Sequence, residues 1–172
     1  SIRVVWGRVR ALLSDQRGFL VLVFLTALGL RLFYTTRVMT NPDFLLTGPD
    51  GDAYDGLAWA MAHGTTDPRW SIPMFAPGYV RFLALLYRLF GRNYFAVCAV
   101  QSVIGALSCL VLYAVAKRLF GIRAARIASA FGVVNFLMVF SAAAIGHQAM
   151  DLFWTLLVMW CLLCYLDAPA RW

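Results

Sequence analysis

Residues 18–36 read GFLVLVFLTALGLRLFYTT and contain a single charged residue, Arg31. A helix needs about 20 predominantly apolar residues to cross the hydrocarbon core of a bilayer. Three later segments, at residues 95–116, 124–145 and 149–166, have the same character. The sequence therefore predicts an all-α fold, a polytopic transmembrane helix bundle of about four spans.

The composition supports a membrane protein and argues against a water-soluble globule. Hydrophobic residues make up 62% and charged residues 13% of the chain, whereas soluble domains carry about 25% charged residues. The net charge of +7 comes mainly from arginines in the segments that flank the apolar runs. Anionic lipid and orientation signals explain these arginines better than a nucleic-acid partner does. Membrane lipid is thus an expected partner, and nucleic acid is not.

Two basic segments predict the orientation. Residues 1–17 combine four arginines with apolar side chains, which is typical of a basic interfacial helix, and residues 18–172 form the membrane module. The link at residues 117–126 is short and carries no acid. By the positive-inside rule both segments are cytoplasmic. The excess of arginine over lysine suggests a bacterial genome. We therefore expect a multi-pass protein of a bacterial inner membrane, with cytoplasmic termini and a periplasmic loop at residues 37–93.

This loop is predicted to contain two short juxtamembrane helices. Residues 48–51 read as a turn, Asp52 as the N-cap of a helix at residues 53–63, and Gly64 as its stop. Pro77 opens a second helix that runs to Phe90 and ends at Gly91. Both helices are too short to cross the bilayer.

The candidate site is acidic. Asp50, Asp52 and Asp55 fall within six residues beside the membrane, and Asp151 lies at the outer start of the last span. Structural explanations are available for the first three, because a turn accommodates Asp50, an N-cap explains Asp52, and the helix dipole favours Asp55 in a first turn. Placing a carboxylate at the lipid boundary costs free energy unless the carboxylate is paired with a cation or hydrated. We therefore expect Asp52 and Asp151 to share one outward-facing cleft.

Two arginines and two cysteines are further residues to consider for the candidate site. Arg31 near the outer end of the first span either snorkels to the headgroups or faces a polar cavity. Arg81 is a second cation on the outer side. Cys161 and Cys164 have the spacing of a redox or zinc pair, but their apolar surroundings favour small lipid-facing side chains.

The order of several short motifs resembles a known family. These motifs are Leu30-Arg31-Leu32, Gly51-Asp52-Ala53, His63-Gly64, Pro77-Gly78-Tyr79 and Lys117-Arg118-Leu119-Phe120-Gly121. Over about residues 20–166 they are similar to the N-terminal part of GT-C fold membrane glycosyltransferases, which take sugars from polyprenyl phosphates. The protein mannosyltransferase and aminoarabinose transferase group is the nearest in pattern. The chain departs from it at Phe75 and Ala76, where relatives usually have Arg-Pro, and relatives are several times longer.

The resemblance implies roles for particular residues. Asp52 matches the family's outer-loop aspartate, which is the catalytic base or a metal-linked acid, and Asp151 matches a second acidic residue that lines the site. The remaining candidates are substrate-binding residues: Arg31, Asp55, Tyr79, Arg81, His147 and Gln148. Asp52 would either deprotonate the acceptor or hold a divalent metal ion that does so, and no metal ligands are assigned.

Three functional hypotheses remain open from the sequence. The first is a glycosyltransferase module that moves a sugar from a polyprenyl-phosphate donor to an acceptor on the outer face, without robust activity as this short chain. Its partners would be the lipid-linked sugar and either other membrane subunits or a missing C-terminal part. The second is a non-catalytic integral subunit of a larger membrane complex. The third is a lipid-binding or transport element.

Overall fold

The computed structural model describes residues 15–40, 48–65 and 75–166, and all regular structure within these ranges is helical. The all-α prediction is confirmed. Most of the predicted interfacial helix at residues 1–17 lies outside the described residues. The helices are α1 (Gln16–Val38), α2 (Gly48–His63), α3 (Pro77–Phe90), α4 (Tyr94–Val134), α5 (Phe136–Ala143) and α6 (Gln148–Leu166).

Three of the described helices, α1, α4 and α6, are long and apolar enough to cross a membrane. Helix α1 contains the whole of the first predicted span, and the carboxylate of Asp15 caps its start by accepting from the Gly18 N–H at 3.0 Å. Helices α2 and α3, with 16 and 14 residues, are not among the three. The predicted number of four spans is not established by these lengths, because it depends on how α4 is divided.

Helix α4 reverses direction at Gly121. Its 41 residues would extend about 60 Å if straight, which is twice the hydrocarbon thickness. Gly121 is non-helical, with φ 84° and ψ 176°, a region that only glycine adopts readily. Residues 94–120 and 122–134 then lie side by side, since Gly132 packs against Leu112 and Cys109. The predicted link at residues 117–126 is thus helical except for this glycine.

A second break separates α4 from α5 at Asn135. Its backbone is extended, and its carboxamide oxygen accepts from the Met138 N–H at 3.2 Å, so that the same residue ends one helix and caps the next. The segment predicted as a span at residues 124–145 therefore consists of two helical pieces. The short turn that follows, at residues 144–147, leads into α6.

Helix α2 begins earlier than predicted. The residues of the expected turn, Gly48 to Gly51, are helical, and Asp52 lies within the helix instead of capping it. Proline is tolerated in the first turn because the N–H that it lacks has no helical partner there, and the dipole favours Asp50 at that position. The predicted stop at Gly64 is confirmed by its φ of 69°.

Helix α3 has the predicted bounds. It begins at Pro77 and is followed by Gly91, whose φ is 68°. Its buried face packs on α2 in an apolar cluster that also includes Val97 and Ile145. The cluster's buried members from the two helices are Tyr54, Leu57, Ala58, Tyr79, Val80, Leu83, Ala84, Leu86 and Tyr87.

A second apolar cluster joins α1 to both halves of α4. Its buried members are Phe19, Val23, Ala27, Ala106, Cys109, Tyr113, Ala116, Ala125 and Val133. The two clusters mark two ends of the bundle. We call the end formed by α2, α3 and the start of α6 the acidic end, and the end around Gly121 and the start of α1 the basic end.

Arg31 lies inside the bundle and does not snorkel. Its side chain is 0% exposed, and its guanidinium donates to the carbonyl of Ala27 at 3.0 Å and to that of Gly132 at 3.3 Å. The approach depends on Gly105, since a Cβ there would lie 2.8 Å from the Arg31 Nε. No carboxylate in the described ranges pairs with Arg31. Of the two alternatives for Arg31, snorkelling is wrong, because two carbonyls bind the guanidinium inside the bundle and Gly105 leaves room for it.

Candidate functional site at the acidic end

Asp55 is a buried carboxylate at the acidic end with several hydrogen-bond donors around it. It is 2% exposed and accepts hydrogen bonds from the hydroxyls of Tyr87 and Tyr94 and from the guanidinium of Arg92. The Arg92 Nε contact is 3.3 Å and the Tyr94 contact is 3.3 Å. These donors belong to α3, to the α3–α4 connection and to the first residue of α4. Asp55 therefore ties α2 to the helices on either side of that connection.

The protonation of this network follows from burial and from the carboxylate. Burial, reinforced by the hydrogen bond to Asp55, raises the pKa of the Tyr87 phenol far above its ordinary value. The hydrogen bond to Asp55 raises the pKa of Arg92 as well. Tyr87 thus remains a donor, and Arg92 remains a cation, throughout the physiological range. The Arg92 guanidinium also lies 5.5 Å from the ring centroid of Trp59 on α2.

Tyr54 connects α2 to the start of α6. Its hydroxyl accepts from the Ala76 N–H at 3.2 Å, and its ring packs edge-on against those of Phe75 and Tyr79. The same ring lies 5.8 Å from the imidazole of His147. The two segments that carry the predicted acids are therefore in contact, through Tyr54 and His147.

His147, which immediately precedes α6, and Asp151 in the first turn of α6 form a pair. The imidazole Nδ1 and the carboxylate Oδ2 are in hydrogen-bond contact, and the side chains are 36% and 58% exposed. A carboxylate that binds Nδ1 fixes the orientation of the ring and leaves Nε2 available to another group. Both residues were predicted site residues, and the structure brings them together.

Gln101 holds the turn before this pair in place. Its side chain is fully buried; the amide oxygen accepts from the Tyr79 hydroxyl at 2.7 Å, and the amide nitrogen donates to the Ala144 carbonyl at 2.8 Å. Burial raises the pKa of the Tyr79 phenol well above its ordinary value, so it stays protonated as the donor. The predicted substrate contact of Tyr79 stays a prediction, and its observed contact is with Gln101.

Asp52 is exposed on α2, and so is Asp50. Asp52 precedes Asp55 by three residues, so both lie on one side of the helix. Tyr54, in contrast, lies about 200° around the helix from Asp52, and it is Tyr54 that contacts His147. The shared cleft for Asp52 and Asp151 is therefore not demonstrated by a contact, and it stays a prediction.

Among the predicted cations, Arg81 and Arg31 differ sharply in accessibility. Arg81 is exposed on α3, whereas Arg31 is enclosed between α1 and α4. Arg88, which is exposed on α3, donates to the carbonyls of Met61 and Ala62 at the end of α2. It therefore stabilises the last turn of α2, in which carbonyls lack helical partners.

An apolar groove of about 660 Å³ runs along the bundle below the acidic end. It lies between α4, α5 and α6, and Gln148 lines it next to the His147–Asp151 pair. Most of the other lining side chains are apolar, namely Leu112, Phe131, Leu137, Met138, Phe140 and Leu152. The groove thus leads from membrane depth towards the predicted site residues.

The described residues do not assemble a metal site. No group of three His, Cys, Asp or Glu side chains comes together within residues 15–40, 48–65 and 75–166. His147 and Asp151 could supply two ligands, whereas protein metal sites usually have three or four. We therefore derive no step that uses a metal ion. Cys161 and Cys164 are free thiols on the exposed side of α6.

Sequence reasoning missed the residues that position the site. Gln101, Tyr54, Tyr87 and Arg92 were not assigned roles, although each bonds or contacts a site residue. Gln101 gave the clearest signal, because a polar amide within an apolar span is expected to find buried partners. The partners of Asp55 gave no signal, since they are far from it in sequence.

The fold and the site define a membrane-embedded helical protein whose polar groups gather at one end of its apolar helices. The family described as dolichyl-phosphate-mannose-protein mannosyltransferase matches residues 73–172. This match covers more than half of the chain, and the chain belongs to that family. It is thus of the membrane glycosyltransferase type that uses a polyprenyl-phosphate-linked sugar donor, as the resemblance implied. No curated protein and no solved structure gives a significant match to the chain.

Proposed function

We propose that the acidic end forms part of the active site of a glycosyltransferase that works at the outer face of a bacterial inner membrane. The observation that carries this proposal is the placement of the His147–Asp151 pair within the family-matched region, at the end of an apolar groove. Asp52 precedes the matched region, but the contact between Tyr54 and His147 brings its helix to the same place.

The groove fits the lipid part of the donor. An isoprenoid chain is apolar and would lie along the groove at membrane depth, while its phosphate and sugar would reach the polar groups at Gln148 and beyond. Gln148 and His147 are then donor-binding groups. Arg81 is the better candidate for contact with the phosphate, because Arg31 is enclosed and already donates to two carbonyls.

The chemistry that we propose is a displacement at the sugar's anomeric carbon. The Asp52 carboxylate accepts the proton of an acceptor hydroxyl, whose oxygen forms the new glycosidic bond. The bond from the anomeric carbon to the phosphate oxygen breaks, and the polyprenyl phosphate departs with the electron pair. Cationic side chains stabilise the charge that develops on the leaving phosphate.

A second function, that of a non-catalytic integral subunit, has one observation in its favour. Helix α6 buries only Ala149 and exposes six large apolar side chains, namely Trp154, Val158, Met159, Leu162, Tyr165 and Leu166. Such a face fits lipid, but it also fits the helix of another membrane subunit. The two functions differ in whether the acidic end must turn over a donor.

The direct test is a transfer assay with a polyprenyl-phosphate sugar as the donor. We expect the purified 172-residue chain in lipid to show no transfer above background, because Asp52 and Asp151 are exposed and little of the described surface encloses a donor and an acceptor together. Transfer should appear when the remaining membrane partners are supplied. Turnover by the chain alone would show that it is sufficient and would contradict this expectation.

The orientation predicts a labelling pattern. With Cys161 and Cys164 replaced by alanine, single cysteines are placed at the exposed positions Thr65 and Ile122. We expect a membrane-impermeant maleimide added to intact cells to modify Thr65→Cys and to leave Ile122→Cys unmodified until the membrane is opened. The opposite pattern would place the acidic end in the cytoplasm and refute an outer active site.

A further inference from the structure

The basic end contains a pocket that the proposed transfer reaction does not use. It has a volume of about 370 Å³, lies between α1, α4 and α6, and is separate from the apolar groove. Lys117 and Arg118 line it, as do the apolar side chains of Leu20, Leu110 and Trp160. The lining residues include no carboxylate. A pocket with cations at one level and apolar walls below has the chemistry of a phospholipid site.

A buried hydroxyl provides a second, independent observation. Tyr113 lines the pocket and is 2% exposed, yet its hydroxyl has no hydrogen-bond partner. A buried hydroxyl without a partner costs about 1–3 kcal/mol, so native proteins rarely leave one unsatisfied. An acceptor such as a phosphate oxygen in the pocket would satisfy it.

The two cations are held at the pocket by neighbouring side chains. Lys117 donates to the Gln16 amide oxygen at 2.8 Å, which leaves two of its three N–H donors for another acceptor. The Arg118 guanidinium lies 5.6 Å from the Trp160 ring centroid, and its Nη1 lies 3.8 Å from the Cys164 Sγ. Trp160 therefore orients Arg118 on the α6 side, opposite Lys117 and Gln16.

We infer that this pocket binds the phosphate of an anionic phospholipid from the leaflet at the basic end, with an acyl chain along Leu20, Leu110 and Trp160. The surrounding charge favours such a lipid. Arg17, Arg123 and Arg126 add to the positive charge of this end. Among the described residues, Asp15 is the only acidic residue there. The bound lipid would bridge α1, α4 and α6 and stabilise their packing.

The test is the thermal unfolding midpoint of the purified chain in detergent with added lipid. Phosphatidylglycerol is expected to raise the midpoint in a concentration-dependent way, whereas phosphatidylcholine at the same mole fraction is not. Lys117→Gln and Arg118→Gln should each weaken the apparent affinity about fivefold. Arg123→Gln, an exposed cation at the same end that does not line the pocket, is the matched control and should weaken the affinity much less than either substitution.

Tyr113→Phe separates a binding role from a structural one. Without lipid it should be neutral or slightly stabilising, because it removes an unsatisfied hydroxyl, yet it should weaken phosphatidylglycerol binding. Equal stabilisation by phosphatidylcholine would overturn the inference, as would an Arg123→Gln effect equal to that of Lys117→Gln. Equal stabilisation by inorganic phosphate alone would show an anion site without lipid specificity and would also overturn it. None of these readouts depends on sugar transfer.

Discussion

Asp52→Asn is expected to lower sugar transfer about 100-fold or more in a membrane assembly that supports the reaction. Asparagine keeps the shape of the side chain but cannot take a proton from the acceptor hydroxyl, and general base catalysis typically contributes about 10²–10⁴-fold. Asp52 is exposed on α2, and asparagine has nearly the same size, so the substitution should not unfold the protein. The measurement is the rate of transfer from a polyprenyl-phosphate sugar at saturating donor.

The matched control is Asp50→Asn, which changes another exposed carboxylate on the same helix two residues away. It should keep nearly full activity, because the two side chains point to different sides of α2. Full activity of Asp52→Asn would remove Asp52 from the mechanism and favour the non-catalytic subunit. An equal loss in both variants would indicate that negative charge at the start of α2 matters and that a specific base does not.

The helical architecture could be predicted because length and hydropathy determine it. Long apolar runs have few alternatives to a membrane-embedded helix, and α1, α4 and α6 contain those runs. Glycine and proline residues were equally informative about where helices begin and end. Helix α3 begins at Pro77 and is followed by Gly91, and α2 is followed by Gly64, as the sequence predicted. The family resemblance extended this prediction to function, and the match over residues 73–172 confirmed it at the level of the family.

The failures have local physical causes. The turn signal at residues 48–51 was overridden because proline, aspartate and glycine are all tolerated in a first helical turn, and α2 is five residues longer than predicted in consequence. The fate of Arg31 depended on partners that a sequence does not reveal. It lies inside the bundle because Gly105 leaves room for its side chain and the Gly132 carbonyl accepts a hydrogen bond from its guanidinium. Both glycines are on α4.

The acidic residues show more clearly that a sequence does not reveal the partners of a side chain. Sequence alone placed Asp52 and Asp55 in one candidate site because they are three residues apart. The structure separates them by environment, since Asp52 is exposed and Asp55 is buried among three donors. The packing of α2 on α3 decides that Asp55 is the buried one.

Asp55→Ala is therefore expected to destabilise the chain by about 2–4 kcal/mol, which is typical of removing one partner from a buried charged network. Most of this cost comes from Tyr87, whose hydroxyl would be left inside the α2–α3 interface. Arg92 contributes less, because its side chain is 45% exposed and water can replace the lost carboxylate. The measurement is the free energy of unfolding in detergent, with the exposed Asp50→Ala as the control that should change little.

A double substitution distinguishes a positioning role from the predicted substrate contact. Tyr87→Phe alone should destabilise the chain by about 1 kcal/mol, but in the Asp55→Ala background it should restore stability, because it removes the hydroxyl that had lost its partner. Such a rescue would show that Asp55 acts on the donor only through the placement of α2. If Asp55→Ala instead leaves stability equal to that of Asp50→Ala and raises the KM for the lipid-linked sugar, Asp55 contacts substrate directly. The buried hydrogen-bond network would then not be what holds the acidic end together.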